Sequence, residues 1–519
     1  MVSICIHWIS TWVNSLTTPF IYFCFVGVII RQSFKSSVYT YVGTIVGAAS
    51  LLYFFPRFFT PEELGAFRLM VEVGALLAGF GLLGIGQSIT RFFPHFVDEN
   101  GSVNGFLFLA LSIPVIGSII VSMVYILNKD VLLSFFDIDT ELIGIIYLPV
   151  LFIALFRIYQ TVFENISANY RRIAANNFIR EIVNRLLLLL LSFFFYLGWY
   201  PFDVFCCYAS LVFGINALLN FIVLATQVRL DFRPDFHFLR SNPKLRNDML
   251  KYNLWLFGSS LAVLIVNKID FLMISTEKGL QDTAIYSIAF YIAILIEIPK
   301  RGVLQIAAPI VSKHMKDKNI SELDTLYKKA SLGIFSVCTV LFFLIGFNLP
   351  LIMSFIPKGE IYQQGTWVVL VIGLGKVIEV IGLLAYPIIS NSNYYTYGFI
   401  SSVVNIFIAI VFNYILIPLY GINGAAIATF LTFVVSMTIQ TVIVFKKIGI
   451  QPFTWEHVKT SLVALFSLGL IVIFKIKEFD LIGLILGNIL MYVVYIAWYY
   501  KSAYKTEVKN LVLNAFKRS

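Results

Sequence analysis

Charged residues are scarce in this chain. Only 13 % of its 519 residues are Asp, Glu, Lys or Arg, whereas 59 % are hydrophobic. Soluble domains carry about 25 % charged residues, which they need to cover their apolar surface. The composition also excludes a disordered chain, because disorder requires few apolar residues. The sequence therefore predicts an all-α, polytopic membrane protein.

Cysteine and histidine are rare as well. The five cysteines lie in apolar segments without C-x-x-C spacing, and the five histidines are scattered singly. Because zinc sites and disulfide frameworks need clustered residues, the sequence predicts neither a metal nor a cofactor. The run Gly79–Gly84 matches the dinucleotide-binding pattern G-x-G-x-x-G. We expect it to lie within a long apolar helix, where small residues allow close helix packing instead.

Fourteen segments have the composition of membrane spans, each of which needs about 20 mostly apolar residues. They are Val38–Phe58, Leu69–Thr90, Gly105–Leu127, Leu142–Phe163, Phe178–Trp199, Phe202–Gln227, Leu254–Ile274, Thr283–Gln305, Ser331–Phe355, Thr366–Ile389, Thr396–Leu419, Ile422–Phe445, Val458–Phe474 and Leu481–Tyr500.

The loops between these segments differ in charge. If Arg31 and Lys35 lie in the cytoplasm, alternation of the spans places most loop Lys and Arg residues on the same side. Cytoplasmic loops of membrane proteins characteristically carry an excess of Lys and Arg. The sequence therefore predicts a multi-pass protein of the cytoplasmic (inner) membrane with both termini in the cytoplasm. The net charge of +10 needs no nucleic-acid partner.

One long polar link divides the chain. The predicted units are an N-terminal apolar extension and lead-in (1–36), an N-lobe of six spans (37–228), the cytoplasmic link (229–253), a C-lobe of six spans (254–445), two further spans (446–500) and a cytoplasmic amphipathic tail (501–519). Each lobe opens with a similar sequence, which indicates a parallel repeat. Repeated halves around a central site are typical of alternating-access transporters.

The first thirty residues fit this plan poorly. They are apolar but contain no Lys or Arg, so they lack the charged start of a signal peptide. A fifteenth span here would place the N-terminus outside. We expect residues 1–25 to precede the true start, with translation beginning at Val26; an interfacial membrane segment is the alternative.

Ten charged residues fall inside the predicted spans, where each is costly. The basic ones are Arg157, Arg185, Lys268, Lys300, Arg301 and Lys376, and the acidic ones are Glu72, Asp270, Glu297 and Glu379. Glu181 and Asp203 lie too close to span ends to be counted among them, and Arg68 falls in a predicted outside loop. Spacing along a helix predicts that Glu297 pairs with Lys300 or Arg301, and Lys376 with Glu379. Lys268 and Asp270 point in different directions, so their partners must come from other spans.

The surplus of positive charge predicts a water-filled cavity that attracts an anionic substrate. The predicted substrate-binding residues are Arg157, Arg185, Lys268, Arg301 and Lys376, since guanidinium groups in particular match phosphate oxygens. The predicted sites for a coupling H⁺ or Na⁺ are Asp270, Glu297, Glu379 and Glu72. The alternative is a set of ion pairs between helices that only fixes their packing.

Several stretches resemble one transporter family. They are Arg31–Ser37 with Thr60–Gly65, then Ile269–Ile274 followed by Ala284–Ala289 and Pro309, and finally Tyr420–Ala426. In this order they are similar to the polysaccharide transporters of the multidrug/oligosaccharidyl-lipid/polysaccharide exporter superfamily, the O-antigen-type flippases. The position of Asp270 matches the family pattern.

The resemblance implies a V-shaped, two-lobed protein. We expect it not to be an enzyme, because a membrane polymerase or ligase acting on such glycans would need a large outside loop, and no predicted outside loop exceeds about 15 residues. The resemblance also implies transport of undecaprenyl-diphosphate-linked oligosaccharide across the cytoplasmic membrane for O-antigen or another surface polysaccharide, coupled to an H⁺ or Na⁺ gradient. Membrane lipid is then a partner, and the resemblance leaves open whether a polysaccharide polymerase is a second one. The alternatives are a peptidoglycan lipid-precursor flippase and a drug/cation antiporter of the same superfamily, although a basic interior disfavours cationic drugs.

Overall fold

Helices make up nearly all of the described chain. The computed structural model describes residues 28–93, 96, 105–136, 140–170, 173–226 and 242–473, and no strand occurs in these ranges. Helices satisfy their backbone polar groups internally, as a bilayer requires. The all-α membrane fold predicted above is confirmed. Residues 1–27, most of the link, the fourteenth predicted span and the tail lie outside the described residues.

Nine helices precede the link in the described ranges. They are α1 (Val28–Ala49), continued by a π-helical turn (Ser50–Phe54) to Phe58, α2 (Pro61–Gly81), α3 (Ile85–Phe92), α4 (Phe106–Leu127), α5 (Lys129–Ser134), α6 (Thr140–Asn169), α7 (Ile173–Phe178), α8 (Asn184–Tyr196), which a second π-helical turn (Ile179–Val183) joins to α7, and α9 (Phe202–Ala225).

Nine more follow the link in the described ranges. They are α10 (Pro243–Glu277), α11 (Leu280–Ile294), α12 (Ile298–Lys316), α13 (Ile320–Phe355), α14 (Gly359–Tyr362), α15 (Thr366–Glu379), α16 (Ala385–Ser390), α17 (Tyr395–Ile448) and α18 (Trp455–Ile473).

Nine segments of the described residues are long and apolar enough to span a membrane. The last of these, within α17, bends sharply at Gly421, whose backbone angles (φ 58°, ψ −134°) are not helical. A positive φ of this kind favours glycine, and the bend falls between the eleventh and twelfth predicted spans. The total of fourteen spans stays a prediction.

The second span begins earlier than predicted. Thr60 caps α2: its hydroxyl accepts the Glu63 N–H at 3.2 Å, and its own N–H donates to the Glu63 carboxylate at 2.8 Å. Pro61 occupies the first helical turn, where its missing N–H has no cost. This capping box starts the helix eight residues before the predicted Leu69 and places Arg68 inside the span. The expectation that Arg68 belongs to a loop was wrong.

The glycines at the inner end of α2 also differ from expectation. The run Gly79–Gly84 is not internal to one helix, because α2 ends at Gly81 and Gly84 adopts a φ of 79° before α3 begins. The packing explanation holds: a Cβ on Gly79 would overlap Leu264, and one on Gly117 of α4 would overlap the carbonyl oxygen of Gly81.

Helices from before and after the link meet at both ends. At the predicted outer end, a Cβ on Gly65 of α2 would overlap the carbonyl oxygen of Leu280 in α11. Beside it, the Lys358 ammonium donates to the Phe59 carbonyl at 2.6 Å. At the predicted inner end, the Arg91 guanidinium lies 4.1 Å from the ring centre of Tyr252.

Candidate functional site

An ion-paired carboxylate connects α2 to α10 within the spans. The buried Glu72 carboxylate accepts a hydrogen bond from Arg68 at 2.8 Å and pairs with the ammonium of Lys268. The Arg68 and Lys268 side chains are 21 % and 26 % exposed. Partly exposed cations at this depth require water or another polar group beside them.

Arg157 of α6 completes this basic cluster, defined as Arg68, Arg157 and Lys268 around Glu72. Its guanidinium lies 3.5 Å from the carbonyl oxygen of Val71 and 5.3 Å from the ring centre of Phe213. In the described part of the chain it has no carboxylate within 4.0 Å. The cluster therefore holds three cations and one carboxylate.

Arg185 occupies a second position, near α1. One of its amino groups donates to Glu181 at 2.8 Å, and the other donates to the carbonyl of Gly43. Glu181 also pairs with Arg180, which in turn binds Glu164 at 2.8 Å. Glu181, which the sequence analysis set aside, is thus a carboxylate that orients Arg185.

A separate ion-pair network lies between α12 and α15. The buried Lys376 ammonium lies 2.8 Å from Glu297 and 3.1 Å from Glu379, and it sits 3.9 Å from the ring centre of Phe433. Lys300 binds Glu379 at 2.5 Å, and Arg301 lies 3.9 Å from Glu297. The predicted pairs Lys376–Glu379 and Glu297–Arg301 are present, whereas Lys300 pairs across helices instead.

Asp270 borders a small cavity of about 10 Å³, which also contacts Asn267, Asn413, Thr429 and Thr432. Such a volume fits one water molecule or small ion. The side chain of Asp270 is buried and accepts a 2.6 Å hydrogen bond from the hydroxyl of Tyr286. The buried Oδ1 of Asn413 has no hydrogen-bond partner in the described ranges.

A larger cavity of about 700 Å³ adjoins this one. The two share Val266, Asn267, Thr432 and Phe433. The larger cavity follows α17 from Thr432 to Gln440, and its polar wall includes Asn405, whose amide donates to Ser436 at 2.9 Å. It therefore extends from the neighbourhood of Asp270 toward the predicted inner side.

The structure thus brings together some of the predicted residues and separates others. Glu72, Lys268 and Arg157 share the basic cluster, whereas Lys376, Arg301, Glu297 and Glu379 form the second network. As predicted, Lys268 and Asp270 find their partners on other helices, namely Glu72 and Tyr286.

Sequence reasoning missed Arg68, Asn413 and Thr429. The capping pattern Thr60–Glu63 was the signal that places Arg68 within a helix. Asn413 and Thr429 carry no comparable signal, because uncharged polar residues are common in apolar helices.

Known proteins resemble this chain in sequence. A family model described as polysaccharide biosynthesis protein matches residues 33–315, more than half of the chain. A capsular polysaccharide biosynthesis protein, CapF of Staphylococcus aureus, is 21 % identical over 400 residues, which cover 76 % of this chain and 94 % of CapF.

Solved structures share the fold at low sequence identity. The lipid II flippase MurJ, in an inward closed conformation, matches with a TM-score of 0.71 and 15 % identity over 90 % of this chain and 98 % of MurJ. An inward-facing multidrug resistance transporter of the MATE family, in the MOP superfamily, matches with a TM-score of 0.53 and 17 % identity over 84 % and 96 %. The chain is a multi-pass membrane protein that belongs to the polysaccharide biosynthesis protein family.

Proposed function

We propose that the protein is a flippase that moves polyprenyl-diphosphate-linked oligosaccharide from the inner to the outer leaflet of the cytoplasmic membrane. The observation that carries this proposal is the basic cluster, in which three cations from α2, α6 and α10 surround one carboxylate. A diphosphate supplies the negative charge that such a cluster leaves unbalanced. Transport of this kind changes no covalent bond of the substrate.

Arg157 is the residue we assign most directly to the diphosphate. Among the described residues, its guanidinium has a weak backbone contact and an aromatic neighbour, which leaves donors for phosphate oxygens. Arg185 and Arg301 are half-buried or exposed and extend the basic surface. Lys376 lies between two carboxylates; we assign it to holding α12 against α15 rather than to the substrate.

For the coupling ion we propose the cavity beside Asp270. One carboxylate, an unpartnered amide oxygen of Asn413 and the hydroxyl of Thr429 line it. Oxygen ligands of this kind suit Na⁺, and the carboxylate alone suits H⁺. Glu72, Glu297 and Glu379 already have cationic partners within 3.1 Å, which makes them poorer candidates for a second cation.

The comparisons support the same class of substrate. MurJ, whose fold is similar, is a lipid II flippase, and the relative from Staphylococcus aureus is a capsular polysaccharide biosynthesis protein. The likeness to MurJ also favours a second candidate, a flippase for a peptidoglycan lipid precursor. A drug/cation antiporter is disfavoured, because a surplus of positive charge repels cationic drugs.

A deletion strain distinguishes these functions. Lipid-linked oligosaccharides are extracted, and their sugars are labelled from outside in intact spheroplasts. We expect intermediates of a surface polysaccharide to accumulate unlabelled, and the intact gene but not Arg157→Ala to restore labelling. Accumulation of a peptidoglycan precursor would favour the second candidate. Drug sensitivity with normal labelling would contradict both flippase functions.

A further inference from the structure

An apolar cavity of about 650 Å³ lies between α2, α4, α6 and α10. Its wall includes Leu69, Leu76, Phe80, Val124, Ile146 and Leu272. We call this space the apolar groove. It follows α2 from Leu69 to Phe80, a length of about 16 Å at 1.5 Å per residue.

The polar side chains of the groove are turned away from an occupant. The rings of Tyr125 and Tyr147 stack at 4.5 Å, and each hydroxyl donates to the backbone carbonyl of the other residue. The amide of Asn128 donates to the carbonyl of Val124 at 2.8 Å. The described wall therefore offers mainly hydrocarbon surface, which fits a hydrocarbon chain better than a saccharide.

The groove lies beside the basic cluster along α2 and α10. Leu69 and Leu76 stand three and four residues from Glu72, and Leu272 stands four residues from Lys268. Residues three or four apart are neighbours on a helix surface. A molecule with an anionic head at the cluster would therefore lay an attached apolar chain directly in the groove.

The depth of the cluster identifies the occupant. Glu72 lies eleven residues after Pro61, where α2 begins, which is about 16 Å along the helix and near the middle of a bilayer core of about 30 Å. An ordinary diacyl phospholipid keeps its phosphate at the interface. The diphosphate of a lipid that is being flipped has to pass through the middle of the bilayer. We propose that the apolar groove binds the isoprenoid chain of the lipid-linked substrate, an inference that rests on the function proposed above.

Photo-crosslinking of the full chain in proteoliposomes tests this site. The probe is an isoprenoid diphosphate that carries benzophenone at the end of its chain, without a saccharide. We expect crosslinked peptides from α2, α4 and α6, and we expect undecaprenyl diphosphate to compete. Competition by phosphatidylglycerol with equal strength would overturn the proposal, because the groove would then hold ordinary membrane lipid.

Two matched variants of α4 sharpen the test. Val124 lines the groove, whereas the neighbouring Met123 does not. Val124→Trp should lower crosslinking about tenfold, because bulk inserted into an occupied space is unfavourable, and Met123→Trp should leave it unchanged. If Val124→Trp does not fold, Ile120→Trp with Ile119→Trp forms an equivalent pair. Equal crosslinking in both members of a pair would overturn the proposal that the groove binds the isoprenoid chain.

The outcomes separate this proposal from the flippase function. Crosslinking measures binding and needs no transport. Crosslinks in the groove without any flipping would contradict the proposed function alone. Flipping of the lipid-linked oligosaccharide with crosslinks confined to other helices would contradict only the assignment of the isoprenoid chain to the groove.

Discussion

Lys268 of α10 and Glu72 of α2 form an ion pair that joins the two sides of the predicted repeat. Glu72 is shared with Arg68, so the pair leaves positive charge in surplus. A carboxylate in this position offsets part of the mutual repulsion of the cations when no substrate is bound. A bound diphosphate would replace the Glu72 carboxylate as the acceptor for some of the cluster's donors, because phosphate oxygens accept hydrogen bonds from the same ammonium and guanidinium groups.

Lys268→Met tests whether this lysine serves the substrate or only Glu72. The single variant should lower the initial transport rate about tenfold or more, since it removes a cation from the cluster. The double variant Lys268→Met, Glu72→Met removes both partners of the pair. We expect transport by the double variant to stay low. Recovery to the wild-type rate would mean that Lys268 only neutralises Glu72.

Asn413→Leu tests the cavity beside Asp270. Loss of the unpartnered amide oxygen should raise the half-saturating concentration of the coupling cation about tenfold, with little change in the substrate concentration dependence. Asn348→Leu is the matched control, because the amide of Asn348 donates to the carbonyl four residues earlier, as that of Asn413 does. Equal effects of the two variants would contradict a cation site. Asp270→Asn should abolish the cation dependence itself.

Lys376→Met tests the network between α12 and α15 through stability. It leaves Glu297 and Glu379 without their shared cation, which should lower the free energy of unfolding by about 3 kcal/mol. Lys459→Met is the control: its pair with Glu456 is 57 % exposed on the lysine side and should contribute at most about 1 kcal/mol. Thermal unfolding in detergent compares them. An unchanged midpoint for Lys376→Met would contradict the structural role.

Gly65→Ala tests the contact between α2 and α11 at the predicted outer end. The added methyl group would overlap the carbonyl oxygen of Leu280, so the variant should favour a conformation in which these helix ends separate. Spin-label distances between α2 and α11 measure this shift. Gly144→Ala is the control, because nothing lies within 4 Å of a Cβ there. An unchanged distance distribution for Gly65→Ala would show that the contact does not limit opening.

The helices and several ion pairs could be predicted because their causes are local. Apolar runs of sufficient length predict spans, and the spacing of Lys376 and Glu379 places both on one helix face. The break at Gly421 fell between two predicted spans. Other features depend on which helices become neighbours. Nothing in the local sequence indicates that Lys268 pairs with Glu72 or that Lys300 pairs with Glu379.

Two residues show how the sequence reasoning failed. Arg68 was placed in a loop because hydropathy places span ends at the last apolar residue, whereas the cap at Thr60 extends α2 beyond it. Glu181 was set aside for the same reason, although a helical path through Ile179–Val183 keeps it beside Arg185. Helix caps carry more information about these boundaries than hydropathy does.

Transport in reconstituted proteoliposomes tests directly whether the protein flips a lipid-diphosphate-linked oligosaccharide. The purified chain is reconstituted with undecaprenyl-diphosphate-linked oligosaccharide from the same cells, under an imposed H⁺ or Na⁺ gradient, and the sugars that reach the opposite leaflet are labelled with a membrane-impermeant reagent. We expect labelling that requires the protein, responds to one of the two gradients and falls about tenfold or more in Arg157→Ala. Labelling at the rate of protein-free liposomes, under either gradient, would contradict the proposed flippase function.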